Sequence, residues 1–238
     1  MTVSPQDVVF AFDFSRVESV GGVRYLIDYS PNAFHFQFPG GAADPVPQLD
    51  GSLYFNAAPQ YLSLPAGQLA RFYAVIPTTE LTLLLSYRAD AGAGALWSNW
   101  NSAGGGLNKG ISVLAQVSAA VAPRFYQFQG GAPQPYLLGS IAHGLGRKNV
   151  LLYTMEAAPR GLTNNATNGA AWAVGAFGAT VHDTAIVPRI GCYPAGVSGY
   201  TGAIYYLALL RGAVSSQDLS SLSALLGQGV KPFCWRAS

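Results

Sequence analysis

The stretch Arg189–Gly229, RIGCYPAGVSGYTGAIYYLALLRGAVSSQDLSSLSALLGQG, decides how the rest of the chain is read. It reads as one closing unit: a short strand, a glycine-rich turn, a long apolar strand, a second turn and a short capped helix. In extended backbone, Ala203, Tyr205, Leu207 and Leu209 fall on one face, and Ile204, Tyr206, Ala208 and Leu210 on the other. Both faces are apolar, as expected of a strand covered on both sides near the middle of a sheet. Ser215-x-x-Asp218 has the spacing of a capping box, with Asp in place of the usual Glu, and Gly227 and Gly229 provide the stop. Leu219, Leu222, Leu225 and Leu226 then make the predicted buried stripe of that helix.

Outward from this unit, the pattern is short strands separated by Gly and Pro turns. Val8 to Phe14 alternates, with Phe10, Phe12 and Phe14 on one side, and a Gly21-Gly22 turn follows. Residues 23–32 read as part strand and part turn, and 39–50 as a loop broken by three prolines. Ser52 to Asn56 and Tyr61 to Leu64 are two short strands. Leu81 to Arg88 is a strong one, with Leu81, Leu83, Leu85 and Tyr87 inward and Thr82, Ser86 and Arg88 toward solvent. Ala95 to Trp100, Ile111 to Gln116, Arg124 to Gln129, Val150 to Met155, Ala171 to Phe177 and Ala185 to Cys192 continue the series. About a dozen short strands and one helix near the end predict an all-β, two-sheet antiparallel sandwich. No internal repeat and no shift in composition divides residues 1–238, so a single domain is expected, with 230–238 as a short tail.

Composition narrows the function classes. Hydrophobic residues make up 50% of the chain, enough for a large core, while charged residues make up only 10%, against roughly 25% in an ordinary soluble domain. Two readings follow: a neutral sandwich surface of Ser, Thr, Asn, Gln, Gly and Ala, or a surface largely covered by neighbours, since interface cores are poor in charge. The net charge of +2 comes from scattered basic residues, with only Arg147 and Lys148 adjacent. No basic stripe exists to neutralise phosphates, so a nucleic-acid partner is not expected. No apolar run approaches the ~20 residues of a membrane helix. The start, MTVSPQDVVFAFDF, lacks a signal peptide's basic end and hydrophobic centre. Cys192 and Cys234 either pair or remain two thiols in a reducing compartment.

The order of motifs resembles the laminin-G-like, concanavalin-A-like jelly-roll domains in their bacterial and phage versions. Phe12-Asp13-Phe14 through Asp28-Tyr29-Ser30-Pro31-Asn32 is similar to that family's opening strand and "D-x-S-x-N" turn. Asp50-Gly51-Ser52-Leu53-Tyr54-Phe55-Asn56 with Tyr61-Leu62-Ser63-Leu64-Pro65 is similar to its next strand pair. Thr79-Glu80-Leu81-Thr82-Leu83 falls where the central strand begins, and Ile190-Gly191, Tyr200-Thr201-Gly202-Ala203-Ile204 and Leu207-Ala208-Leu209-Leu210 match the closing signature. The resemblance covers nearly the whole chain and implies a jelly-roll fold. It departs at Tyr205-Tyr206, where family members often carry Asp.

That architecture hosts glycosidases, which work through paired carboxyl groups. A retaining mechanism needs two carboxyls about 5–5.5 Å apart, most simply at i and i+2 of one strand. Glu18, Glu80 and Glu156 are the only glutamates, and none has such a partner. No G-x-S-x-G elbow is present, and no Cys/His spacing suits zinc. His182-Asp183 reads as a solvated loop pair and His35 as a strand-face histidine. Calcium, the ion the resemblance implies most often, would find oxygen donors at Asn164, Asn165, Asn168 and Asp183, residues that also suit ordinary turns. Sugar contacts need aromatic platforms beside amide and hydroxyl donors. The candidates are Trp97, Asn99, Trp100 and Asn101, followed by Tyr193 and Tyr200; Trp97 and Trp100 fall on opposite faces of an extended chain, so at least one belongs to the core.

The expectation from sequence is a non-enzymatic virion structural or accessory protein, such as a phage capsid decoration or tail component. It would dock on other virion proteins or on copies of itself and need no cofactor. The alternative is a carbohydrate-binding module or host-receptor-binding domain contacting surface glycans, or a cytoplasmic protein. A glycoside hydrolase ranks last.

Overall fold

The computed structural model describes residues 3–56, 60–91, 94–100, 109–115, 124–129, 136–138, 145–155, 160–163, 166–168, 173–174, 179–194 and 199–234. Within them the chain forms two antiparallel sheets, a short helix between strands and a second helix near the C-terminus.

The first sheet runs in the order β1 (Val8–Val20), β17 (Thr201–Arg211), β7 (Leu81–Ala91), β12 (Asn149–Met155), β13 (Arg160–Thr163) and β14 (Ala166–Asn168). β5 (Leu53–Asn56) takes over from β1 along the first half of β17 and is itself flanked by β4 (Val46–Pro47). The second sheet runs β2 (Val23–Asp28), β3 (Phe36–Gln37), β6 (Leu62–Ser63), β16 (Arg189–Ile190), β8 (Gly94–Ser98), β9 (Lys109–Ala115), β10 (Arg124–Gln129), β11 (Tyr136–Leu138) and β15 (Ala173–Val174). β1 and β2 form a hairpin across Gly21-Gly22, so β2 is hydrogen-bonded to both sheets. The result is an all-β antiparallel sandwich, as the strand pattern predicts.

The main core lies between the sheets. Phe10, Phe12, Leu83, Leu85, Leu151 and Leu207 of the first sheet meet Leu26, Phe36, Leu62, Trp97, Val113 and Phe125 of the second, all of them buried. Burial of each such side chain contributes about 1.5–3 kcal/mol before ordering costs. A second apolar layer covers the opposite face of the first sheet: Leu84, Leu152, Tyr206, Ala208 and Leu210 pack under Leu219, Leu222 and Leu226 of α2 (Ser216–Gly227). Tyr206 additionally anchors the tail through its hydroxyl, which donates to the Pro232 carbonyl.

The motif Asp28-Tyr29-Ser30-Pro31-Asn32 is a knot at the hairpin's end. The Asp28 carboxylate accepts from the backbone N–H of Ala11 (2.9 Å), Ser30 (2.9 Å) and Phe34 (2.7 Å), and from the Ser30 hydroxyl (2.7 Å). The Asn32 amide reaches back to the carbonyls of Val8 and Val9. Nearly complete burial pushes the Asp28 pKa up to about 6, against the pull of these donors toward the ionised form. The role of the motif is to pin β2 to β1. His35 joins in, its Nδ1 accepting from the Asp28 N–H at 3.0 Å.

Several expectations are corrected. A second helix, α1 (Leu69–Val75), precedes β7. It buries Phe72 edge-on against Phe34 (5.4 Å between ring centres), but its N-cap, Gln68, makes no side-chain cap bond, so no start signal marks it. The strict alternation along β17 fails at Tyr205. A bulge between Ile204 and Tyr206 adds one residue, so Ile204 joins Leu207 and Leu209 in the main core while Tyr206, Ala208 and Leu210 face α2. Thr82 and Ser86 are buried, not solvent-facing, because α2 and the turn before it cover that face. Thr82 Oγ1 donates to the Gly212 carbonyl and accepts from the Val214 N–H. The α2 stripe is Leu219, Leu222 and Leu226, whereas Leu225 turns outward and is 39% exposed. The Ser215–Asp218 cap is present as Ser215 Oγ accepting from the Asp218 N–H, and the Asp218 carboxylate accepts from the same hydroxyl, not from the N-cap backbone. The run Ala185–Cys192 is strand only at Arg189–Ile190, because Ile186 N–H closes a turn on the Asp183 carbonyl. Of Ala171–Phe177, the strand is Ala173–Val174, and the flanking positions lie outside the described residues. The cysteines are not bonded to one another: both are free thiols, Cys192 buried and Cys234 partly so.

Candidate functional site

Strand register places two opposite rows on the second sheet. Residues directly opposite in antiparallel strands share a face. The row Leu62–Ile190–Trp97–Val113–Phe125 points into the core, with every member at 0% exposure. One residue along each strand, the row Gln37–Ser63–Arg189–Ser98–Ser112–Tyr126 points out of the sandwich. Among the described residues no helix packs on this outer face, in contrast to the outer face of the first sheet.

The row has a polar centre and an aromatic end. Arg189 is partly exposed, and its guanidinium lies 4.3 Å from the centre of the Tyr61 ring. Its Nη1 is 3.9 Å from the Cys192 sulfur, and its Nε is buried with no acceptor among the described residues. Ser98 and Ser112 form a buried floor. Ser98 Oγ accepts from the Trp100 N–H at 3.1 Å, while Ser112 Oγ has no partner among the described residues. Beside them, Trp100 stacks on Phe128 (5.3 Å between centres, 18° between planes), and Phe128 stacks on Tyr126 (5.8 Å, 4°). Tyr193 meets Trp100 edge-on at 4.9 Å. Gly191, with φ +91°, starts the excursion that carries Tyr193 there; a Cβ at this position would lie 2.3 Å from the Phe55 ring. The excursion is closed at its base by the Tyr200 N–H donating to the Gly191 carbonyl at 2.7 Å.

The sugar-contact candidates therefore divide. Trp100 and Tyr193 are partly exposed and touch one another at the outer face. Trp97 is corrected to a core residue, 0% exposed and 5.5 Å from the Phe10 ring, as the opposite-face argument requires of one of the pair. Tyr200 is also buried, its hydroxyl donating to the Arg88 carbonyl at 2.7 Å, so it holds β7 to the closing loop instead of meeting a ligand. Asn99 is 0% exposed and acts as a brace: its Oδ1 accepts from the Ile111 N–H at 2.6 Å and its Nδ2 donates to His182 Nδ1 at 3.2 Å. Asn101 lies outside the described residues.

His182 is not a solvated partner of Asp183. It is largely buried beside Tyr73, and burial lowers its pKa below the ordinary histidine value, in keeping with an unprotonated Nδ1 facing Asn99. The Asp183 carboxylate accepts from the Ala185 N–H at 3.1 Å, which is turn chemistry. Of the other calcium candidates, Asn164 and Asn165 lie outside the described residues, as does the side chain of Asn168. Among the described residues no three His, Cys, Asp or Glu side chains gather as metal ligands, and no helix is long and apolar enough to cross a membrane.

Sequence reasoning found the aromatic loop but missed Arg189, Ser112, Tyr126 and Phe128 as its neighbours. These residues come from three strands separated by long intervals, and only pairing register brings them together. Alternation along 124–129 was the available signal.

The fold that carries this face is shared with solved antiparallel β-sandwich domains. The Ruminococcus gnavus intramolecular trans-sialidase module CBM40, solved bound to α2,3-sialyllactose, superposes with a TM-score of 0.54 at 11% identity, over 72% of this chain and 96% of that one. The binding domain of botulinum neurotoxin DC, solved in complex with SialylT, gives 0.59 at 9% identity, over 94% and 52%. Trypanosoma rangeli sialidase, solved with sialic acid, gives 0.60 at 14% identity, over 97% of this chain but 35% of the enzyme. This chain thus spans about a third of the sialidase and about half of the toxin binding domain. No protein-family model and no curated protein sequence matches it.

Proposed function

We propose that this chain is a carbohydrate-binding, lectin-like domain, and that its glycan lies on the outer face of the second sheet. The observation that carries this reading is the partly exposed Trp100–Tyr193 pair, backed by Phe128 and Tyr126 and set beside the Ser98–Ser112 floor. Aromatic faces give a sugar ring's C–H surface something apolar to lie on, and the partly exposed guanidinium of Arg189 supplies directional bonds. The reading is one of binding without turnover: the outward row Gln37–Ser63–Arg189–Ser98–Ser112–Tyr126 contains no carboxylate to serve as acid or nucleophile. Support comes also from fold neighbours solved with sialylated ligands. Within the sandwich class, the motif order around Asp28, Asp50 and Gly202 supports a laminin-G-like jelly roll.

A glycan array tests the reading. Binding by the intact protein, weakened about tenfold or more by Trp100→Ala with the melting curve little changed, is the expected result. Absence of binding across the array overturns it. The virion-protein reading rests on the 10% charged composition, which suits both a docking surface and a glycan receptor. Light scattering at several salt concentrations addresses it: a salt-insensitive monomer removes self-assembly from consideration.

A further inference from the structure

We infer that the face selects acidic sugars, with Arg189 receiving the anion. This deepens the lectin reading and rests on it. Arg189 is the central member of the outward row, flanked by Ser63 on one neighbouring strand and Ser98 on the other. Several other cations on the molecule are answered by protein oxygens: Arg71 donates to the Asn32 carbonyl and Arg211 to the Val75 carbonyl. Arg24 pairs with Asp44 at 2.5 Å, Arg88 with Asp90 at 3.0 Å, and Lys231 with Asp13. Arg189 has no carboxylate partner among the described residues; its contacts there are the Tyr61 ring and the Cys192 sulfur.

The orientation of the guanidinium matters. Nη1 is the nitrogen turned to the sulfur, and Nε, on the opposite edge shared with Nη2, is buried with no acceptor among the described residues. That edge has the spacing that takes both oxygens of a carboxylate or two oxygens of a sulfate. Holding a cationic donor out of water with nothing to receive its hydrogen is costly, and an oxyanion from a ligand removes the cost. The Tyr61 ring fixes the guanidinium plane before the ligand arrives, which lowers the ordering cost of binding. On the far side of Ser98, the hydroxyl of Ser112, partnerless among the described residues, is a second buried polar group in the same row. Anion receptor, hydroxyl floor and aromatic wall thus follow one another along the sheet, and a sugar bearing an acidic substituent beside an apolar ring face fits that order.

The test uses calorimetry on matched ligands: one oligosaccharide in neutral, carboxylated, carboxyl-methyl-ester and sulfated forms. Wild-type protein is expected to bind the acidic forms about tenfold or more tightly than the neutral one. The preference should shrink as salt rises, and the methyl ester should behave like the neutral sugar. Arg189→Gln should bring the acidic forms down to the affinity of the neutral sugar, and Arg189→Lys should keep part of the preference, because the charge remains and the fork is lost. The ester comparison is made on unaltered protein, so it decides even if the variants fold poorly. Preference for the carboxylate over the sulfate, or the reverse, identifies the acid group. Equal affinity for neutral and acidic forms, with Arg189→Gln unchanged, overturns this inference and leaves the lectin reading standing. No binding of any form by the wild type overturns both.

Discussion

The two outer faces of the sandwich are finished in opposite ways. On the first sheet, Leu84, Leu152, Ala208 and Leu210 look outward and are sealed beneath the leucines of α2. On the second sheet, the outward row is Ser63, Arg189, Ser98, Ser112 and Tyr126, and no described helix lies over it. The same strand chemistry, one inward row per sheet, serves both. What differs is the residue type at the alternate positions, and that difference separates a face that stabilises the fold from one available for recognition.

The sharpest way to break this contrast is to damage each face and ask which property fails. Leu222→Ala, at 1% exposure beneath α2, should cost about 2–5 kcal/mol in denaturant unfolding and leave the glycan affinity of the remaining folded protein unchanged. Loss of affinity in that variant would show that the faces are not separable.

Next in size is the seam between the sheets. With its pKa raised from 3.8 to about 6, Asp28 binds its proton more tightly in the folded state than in the unfolded one. Its contribution therefore makes stability fall as pH rises through the window from about 4 to 6, by up to about 3 kcal/mol, and then level off. Urea titrations across this window check it. In Asp28→Asn the pH slope should vanish, while overall stability drops by about 1–3 kcal/mol because the amide cannot satisfy all four donors. A slope unchanged by the substitution would move its origin elsewhere.

On the second sheet the expected order reverses. Trp100→Ala should lower unfolding stability by only about 1 kcal/mol, because its ring is partly exposed, while removing most glycan affinity. Smallest of all is Ser112→Ala. Its hydroxyl has no partner among the described residues, so stability should stay within about 0.5 kcal/mol of wild type or rise slightly, as read from thermal melts. Any change in glycan affinity in that variant would then report directly on the floor of the face.

Much of the helix-covered half could be read from sequence. The doubly apolar run in β17 and the Ser215 cap are local signals, and both correspond to elements of the structure. The bulge at Tyr205 could not be read, since an inserted residue in an apolar strand leaves no compositional mark when its neighbours are also apolar. α1 was hidden for a related reason: Pro65-Ala66-Gly67-Gln68 offers no capping side chain. The recognition face was legible only in part. The separation of Trp97 from Trp100 followed from alternation, but the meeting of Arg189 with Ser98, and of Ser112 with Tyr126, depends on which strands become neighbours. No short-range pattern carries that information.

β2 belongs to both ladders, and this gives the sandwich a spine along one side. The layers can tilt about that line as the covers of a book do, whereas sliding past one another would tear the rungs on either side of it.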